Sequence, residues 1–396
     1  MKLIHYILAL SAASHVSAEE EDFTEEIDFS PVSVADALTG GSGLGTTYTL
    51  STDADFLISD DINVQRYSAD FKVDFGKTNL GLTYRRSEYD LDISGASFFS
   101  RNRTEDNDQL SLSLGQEWND RFSSGLTLAG YKGFTSHRSI WITEAFETLS
   151  GGAQGFKEPN PFGFSTSLSN TFTLPNDFDT ISIAVGYSRD RVAPAQTIES
   201  GSLDVPPFFF VRAARTDDTI DTVSVNVTGN FYITNKITSE WFARAAWITN
   251  RDVRTQLRLR TAWNVVGGLT LRGEFGATFE QPEFEAFFGG VTLTYQLIDS
   301  LSVSLGYRLY SDTGDISSPG LASSGGVAGF SSAAPPLDSN EVSLSFFWSQ
   351  GAHSANASVA YLQSDFGSIP AGSELFEGVF EDRDFLAVRA AYTYEF

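Results

Sequence analysis

The stretch "FLAVRAAYTYEF", residues 385–396, decides the fold. Counting back in twos from Phe396 gives Tyr394, Tyr392, Ala390, Val388 and Leu386, an apolar and aromatic face. The interleaved positions hold Glu395, Thr393, Ala391 and Arg389. A period of two is the mark of a strand with two different surroundings. One face meets an apolar medium; the other meets water or small neighbours. In a soluble sandwich a strand end frays and is usually polar. Here large rings stand at the strand end, where a membrane–water interface would hold them.

The same alternation recurs from residue 44 onward. Segments of roughly ten to fifteen residues follow one another, the per-strand signature of a transmembrane barrel. They fall at 44–51, 66–75, 79–90, 107–118, 121–134, 161–174, 179–191, 221–234, 237–249, 254–265, 269–280, 286–298, 301–311, 340–349, 353–366 and 382–396, sixteen strands in all. Outward positions include Leu110, Leu112 and Leu114; Ile181, Ile183, Val185 and Tyr187; Val223, Val225 and Val227; and Leu301, Val303, Leu305 and Tyr307. Their inward partners are mostly Ser, Thr, Asn and Gly, as a wet lumen requires.

The connections segregate by parity. Even ones are tight and rich in turn residues: "GKT", "ND", "PNDF", "NK", "VVG", "ID" and "QGA". Odd ones are mostly long, at 52–65, 91–106, 135–160, 192–220, 312–339 and 367–381, with short exceptions near 250–253 and 281–285. A soluble sandwich has no reason to sort its loops in this way. A membrane barrel does, with short periplasmic turns and long extracellular loops. Phe75, Trp118, Phe172, Phe231, Trp241, Trp263, Tyr295 and Trp348 then fall near the periplasmic level, where Tyr394 and Phe396 complete an aromatic girdle.

Composition agrees. The chain has 396 residues, no Cys, and Lys+Arg 26 against Asp+Glu 51, a formal net charge of −25. Thiol metal sites and disulfides are excluded, and a polyanionic partner such as nucleic acid would be repelled. After the first twenty residues no stretch of about eighteen apolar residues exists to make a spanning helix. The start, "MKLIHYILALSAASHVSA", reads as a secretory signal peptide over 1–18, ending in the small residues Val16-Ser17-Ala18. Residues 19–43 form an acidic N-terminal segment that is expected to be flexible. The barrel occupies 44–396.

The last strand resembles those of outer-membrane β-barrel proteins of Gram-negative-type bacteria. Those proteins commonly end in an aromatic residue preceded by alternating apolar positions, here Phe396, Tyr394, Tyr392, Val388 and Leu386. The resemblance implies residence in the bacterial cell outer membrane, among outer-membrane lipid and lipopolysaccharide. It also implies recognition of Phe396, Tyr394 and Tyr392 by the barrel-assembly machinery. A sixteen-strand plan with a long connection after the fifth strand is similar to the general porins. Their third loop folds into the pore, and they are often homotrimers. The implied function is passive diffusion of ions and small hydrophilic solutes.

The lumen-facing charges are the candidate site. "RTQLRLRTAW" puts Leu257, Leu259 and Trp263 on one face and Arg254, Arg258 and Arg260 on the other. Lipid does not hold three ionised guanidiniums, so these face the lumen or upper rim. Arg244, Arg272 and Arg308 share the inward parity, as do Glu240 and Glu274. Arg244, Arg260 and Glu274 are expected in one cross-strand row. Two readings stand: a salt-bridge ladder with Glu240 and Glu274, or a basic patch that steers anionic groups. Glu144, Glu147 and Glu158 in 135–160 would face the arginines if that connection folds inward, making a transverse field. Asp53, Asp55, Asp60, Asp61, Glu105, Asp106, Asp108 and others are expected at an acidic outer rim.

Other classes have less support. "SHRS" places His137 two residues before Ser139, a pair similar to that of membrane phospholipase barrels, but no surrounding motif accompanies it. Neither catalysis, a metal nor a cofactor is expected. Besides a diffusion porin, the sequence leaves open a substrate-selective channel for anionic small solutes, or a plugged barrel serving as a structural or adhesive surface. Transport of hydrophobic substrates is disfavoured because the lumen reads as polar.

Overall fold

A computed structural model describes residues 46–93, 101–135, 137, 140, 161–191, 195–204, 207–216, 219–249, 253–280, 284–314, 335–368 and 380–396. The segments expected at 1–18 and 19–43 lie outside these residues. So do Glu144, Glu147, Glu158 and Ser139.

The strands are β1 (Thr47–Ile58), β2 (Ile62–Asp74), β3 (Thr78–Ile93), β4 (Arg101–Asn119), β5 (Phe122–Gly133), β6 (Phe162–Thr173), β7 (Thr180–Arg191), β8 (Ala195–Asp204), β9 (Pro207–Thr216), β10 (Thr219–Tyr232), β11 (Ile237–Ile248), β12 (Val253–Val266), β13 (Leu269–Glu280), β14 (Phe284–Ile298), β15 (Leu301–Asp312), β16 (Leu337–Gln350), β17 (His353–Phe366) and β18 (Arg383–Glu395). Sixteen of them close one antiparallel barrel, each paired with its neighbour in sequence, except that β7 pairs with β10. Between those two, β8 and β9 form a separate hairpin. Closure by β1 and β18 leaves no unpaired edge, the condition for strands to cross lipid.

The expected faces are present. Leu110, Leu112 and Leu114 stand exposed on the outer surface, as do Ile183, Val185 and Val223. On β7, Val185 is 51% exposed while its inward neighbour Ala184 is 4%. So broad an exposed apolar surface is untenable in water and is what a hydrocarbon medium demands.

Phe396 completes the seam. Its amide donates to the Tyr48 carbonyl and its carbonyl accepts from the Tyr48 amide, each at 2.8 Å. Its ring stacks between Tyr394 at 5.4 Å and Tyr48 at 5.5 Å. His353 extends the stack beyond Tyr394 at 4.8 Å, and Phe71 extends it beyond Tyr48 at 6.3 Å. The aromatic end read from the sequence is therefore a continuous belt of rings at the periplasmic rim. Turns at that rim carry Gly76 and Gly351 with φ of 86° and 62°, a region costly for other residues.

Three expectations about the connections change. Residues 52–65 are not a long loop: β1 runs to Ile58, β2 starts at Ile62, and Ser59–Asp61 turn between them. The Ser59 hydroxyl accepts from the Ile62 amide at 3.1 Å and donates to Asp61 at 3.0 Å, an economical turn. Likewise β3 and β4 extend to Ile93 and back to Arg101, shortening the expected 91–106 loop. The connection 192–220 holds the β8–β9 hairpin, which uses "PFFFVRAART" outside the barrel.

Candidate pore wall

The six arginines chosen by parity lie on one continuous wall, β11 to β15. Register sets their order. Glu240 on β11 stands opposite Arg260 on β12, and Arg260 stands opposite Glu274 on β13. Arg260 Nε donates to Glu274 at 2.9 Å, and its guanidinium lies 3.8 Å from Glu240. Arg258 reaches Glu240 at 3.1 Å. Arg308 on β15 reaches across the glycine pair Gly289–Gly290 of β14 to donate to Glu274 at 2.7 Å. The result is a chain of alternating charge, Arg258–Glu240–Arg260–Glu274–Arg308. Its two carboxylates each serve two guanidiniums, and both its ends are cationic.

The expected row is half right. Arg260 and Glu274 are direct neighbours, but Arg244 stands opposite Gln256 and Asn226, one inward position further out than Arg258 and Phe242. Glu240 takes the place expected for Arg244. Arg254 pairs with Glu280 at 2.7 Å nearer the outer end. Arg272 lies one inward position toward the periplasm, opposite Ala262 and Thr292. Glu341 stands opposite Arg308 on β16. The wall therefore carries six arginines and four glutamates, Glu240, Glu274, Glu280 and Glu341. Glu280 and Glu341 were missed, although their parity would have found them.

A second charged patch was also missed. Asp53 and Asp55 were expected at the outer rim, yet both face the lumen on β1. There Asp53 accepts from Arg389 of β18, and Asp55 lies 3.7 Å from Arg66 of β2. Asp61 in the first outer turn takes a fork of bonds from Arg383 at 2.6 and 3.0 Å. Burial pushes the Asp61 carboxyl up, but the Arg383 hydrogen bonds and charge outweigh it and hold it below the ordinary carboxylate range. The Asp53 and Asp61 pairs bridge the barrel's closing seam, and the arginine wall begins three strands beyond β18 in the ring order. Asp106 and Asp108 were likewise expected in a loop. They stand on β4, where they form an outward cluster with Arg86 on β3.

Between the two charged patches, β5, β6 and β7 present mostly small uncharged groups inward, among them Ser165, Ser167, Ser169, Gly186 and Ser188, until Tyr131 donates to the buried Asp190 at 2.8 Å near the outer end. Toward the outer end the lumen changes character. Ile62, Val64, Tyr89 and Leu91 face inward on β2 and β3, and all are at most 2% exposed. Ile220, Ala246 and Ile248 do so on β10 and β11, and Phe284, Ala286, Tyr310 and Leu337 on β14 to β16. Phe134, His137 and Ile140, just past β5, are buried too, and Tyr89 donates to the Thr135 carbonyl at 2.7 Å. The expectation of a polar lumen is thus corrected for its outer part, which is lined by packed apolar side chains. A signal existed. At the outer end of β14, "FEAFF" puts Phe284, Ala286 and Phe288 on the inward face, where a wet lumen would call for polar or small residues.

No family model matches the chain, and no curated protein matches it in sequence. Solved structures do match. CdiB from Acinetobacter baumannii is similar at a TM-score of 0.50 and 8% identity, over 88% of this chain and 60% of that one. The toluene transporter TodX of Pseudomonas putida gives 0.43 and 10%, over 89% and 90%. The siderophore receptor PirA from Acinetobacter baumannii gives 0.40 and 11%, over 82% and 53%. At such identities the likeness is one of fold. The fold is a closed antiparallel barrel of the kind that outer-membrane proteins of Gram-negative bacteria have.

Proposed function

We propose that the chain is an outer-membrane porin through which ions and small hydrophilic solutes diffuse. One observation carries the reading. Charged side chains at mid-height in the lumen stay in reach of water: Arg258, Arg260 and Arg308 keep between 21% and 26% exposure. A solid barrel core would not leave a chain of guanidiniums wet, whereas sixteen strands enclose enough width for an aqueous path. The packed layer at the outer end makes the narrow part of that path.

The excess of arginine over glutamate on the wall favours a second reading, a channel selective for anionic small solutes. Charge lining of this kind sorts permeants without chemistry.

Single-channel current from the folded protein in a planar bilayer, with a salt gradient across it, tests the proposal. Steady openings with a finite reversal potential are expected. Folded, inserted protein that carries no current would overturn it and assign the function to the outer surface of a closed barrel.

A further inference from the structure

We infer that Arg272 binds small oxyanions in the lumen, an inference that rests on the open-channel reading and narrows its substrate class. The other arginines near it are engaged: Glu240 and Glu274 hold Arg258, Arg260 and Arg308. Arg272 stands one inward position toward the periplasm from Glu274, on the same strand. Among the described residues it makes no ion pair and no hydrogen bond. The charges that act on it are those of Arg260, Glu274 and Glu240. Arg260 occupies the diagonal position on β12, and two cations so placed lie within reach of each other and repel.

The wall around Arg272 offers it no carboxylate. In its own register row stand Thr238, Ala262, Thr292, Gly306 and Ser343. The next row toward the periplasm, from β12 to β16, holds one Asn and otherwise Thr and Ser. Arg272 is half-buried, so its guanidinium gives up part of its hydration without a protein acceptor in return. An oxyanion supplies that acceptor. Two of its oxygens match the fork of guanidinium N–H groups, which favours phosphate and carboxylate over a spherical anion such as chloride. Thr292, directly opposite, brings a hydroxyl donor, and Ala262 and Gly306 leave room on the wall.

The test is interruption of chloride-carried single-channel current by inorganic phosphate. Phosphate is expected to lower the current in a saturable way. Arg272→Gln should raise the half-blocking concentration about tenfold or more. Arg272→Lys keeps the charge but not the fork, and a rise of about threefold is expected. Lys72→Gln removes one lumenal cation from β2 and should leave the block as in the unaltered channel. In a conducting channel, three results overturn the inference and leave the porin reading standing: no saturable block, a block unchanged in Arg272→Gln, or a block lost equally in Lys72→Gln. If the folded barrel does not conduct, the porin reading fails on its own, and calorimetric titration of the detergent-folded protein with phosphate decides the site. Saturable binding lost in Arg272→Gln supports it, and no saturable binding overturns it.

Discussion

The arginine wall and the closing seam are both lumenal and both charged, yet they are built differently. At the seam three aspartates meet three arginines one to one: Asp53 with Arg389, Asp55 with Arg66, Asp61 with Arg383. Arg383 keeps 6% of its side-chain surface. On the wall, two carboxylates are shared among three arginines, each more than a fifth exposed. Balanced, buried pairs hold strands together, because removing one partner strands the other charge in a low-dielectric place. Sharing rather than exposure separates the two patches: Arg389 keeps 24% of its side-chain surface, as much as the wall arginines, but each seam aspartate pairs with one arginine where Glu240 and Glu274 each take two.

The comparison can be broken most sharply at the seam. Arg383→Ala leaves the Asp61 carboxylate without its fork of donors, and we expect a loss of about 3 kcal/mol. The measure is the denaturant midpoint of the folded barrel; an unchanged midpoint would make the seam pair ornamental. Removing Phe396 takes away two backbone hydrogen bonds to Tyr48 and two stacking contacts. About 2 kcal/mol is expected, read in the same assay.

Acid should act at the seam too. Because the Asp61 carboxyl is held below its ordinary value, its contribution is fully present above the unfolded pKa of about 3.9. It is lost as pH falls through the lower folded value. Stability should therefore drop on acidification below about pH 4, and Asp61→Asn should shrink that drop. A variant with the same acid profile would assign the loss to other carboxylates.

The wall should respond in selectivity as well as in stability. Arg258→Glu with Arg260→Glu reverses the sign of its excess charge and should move the reversal potential toward the cation limit, most of all at low salt. A loss of folding instead of a shift in potential would show that the wall, like the seam, is structural.

Much of this was legible from residue order. The sixteen barrel strands, their two faces, the girdle and the parity of the six arginines follow from a period of two, which is a local property. Misreadings arose where locality ends. Asp53 and Asp55 look like loop acids because carboxylates are rare in strands, and only their partners on β18 and β2 make them tolerable in the wall. "PFFFVRAART" has the composition of a spanning strand, but its partner is β8, and the hairpin stands apart from the barrel. Phe284, Phe288 and Tyr310 read as ordinary strand aromatics until the fold gathers them at one level of the lumen.

Residue order by itself determined which side chains meet lipid and which meet the lumen, since successive Cβ atoms alternate whatever the strand's neighbours are. It also determined that short turns and long loops lie at opposite ends. Tertiary structure decided which charges meet. Register depends on how many residues each connection spends and on closure of β1 against β18, and one position of slip turns every contact over. That is why Glu240, and not Arg244, faces Arg260, and why a row of arginines became a chain of alternating charge with both ends positive.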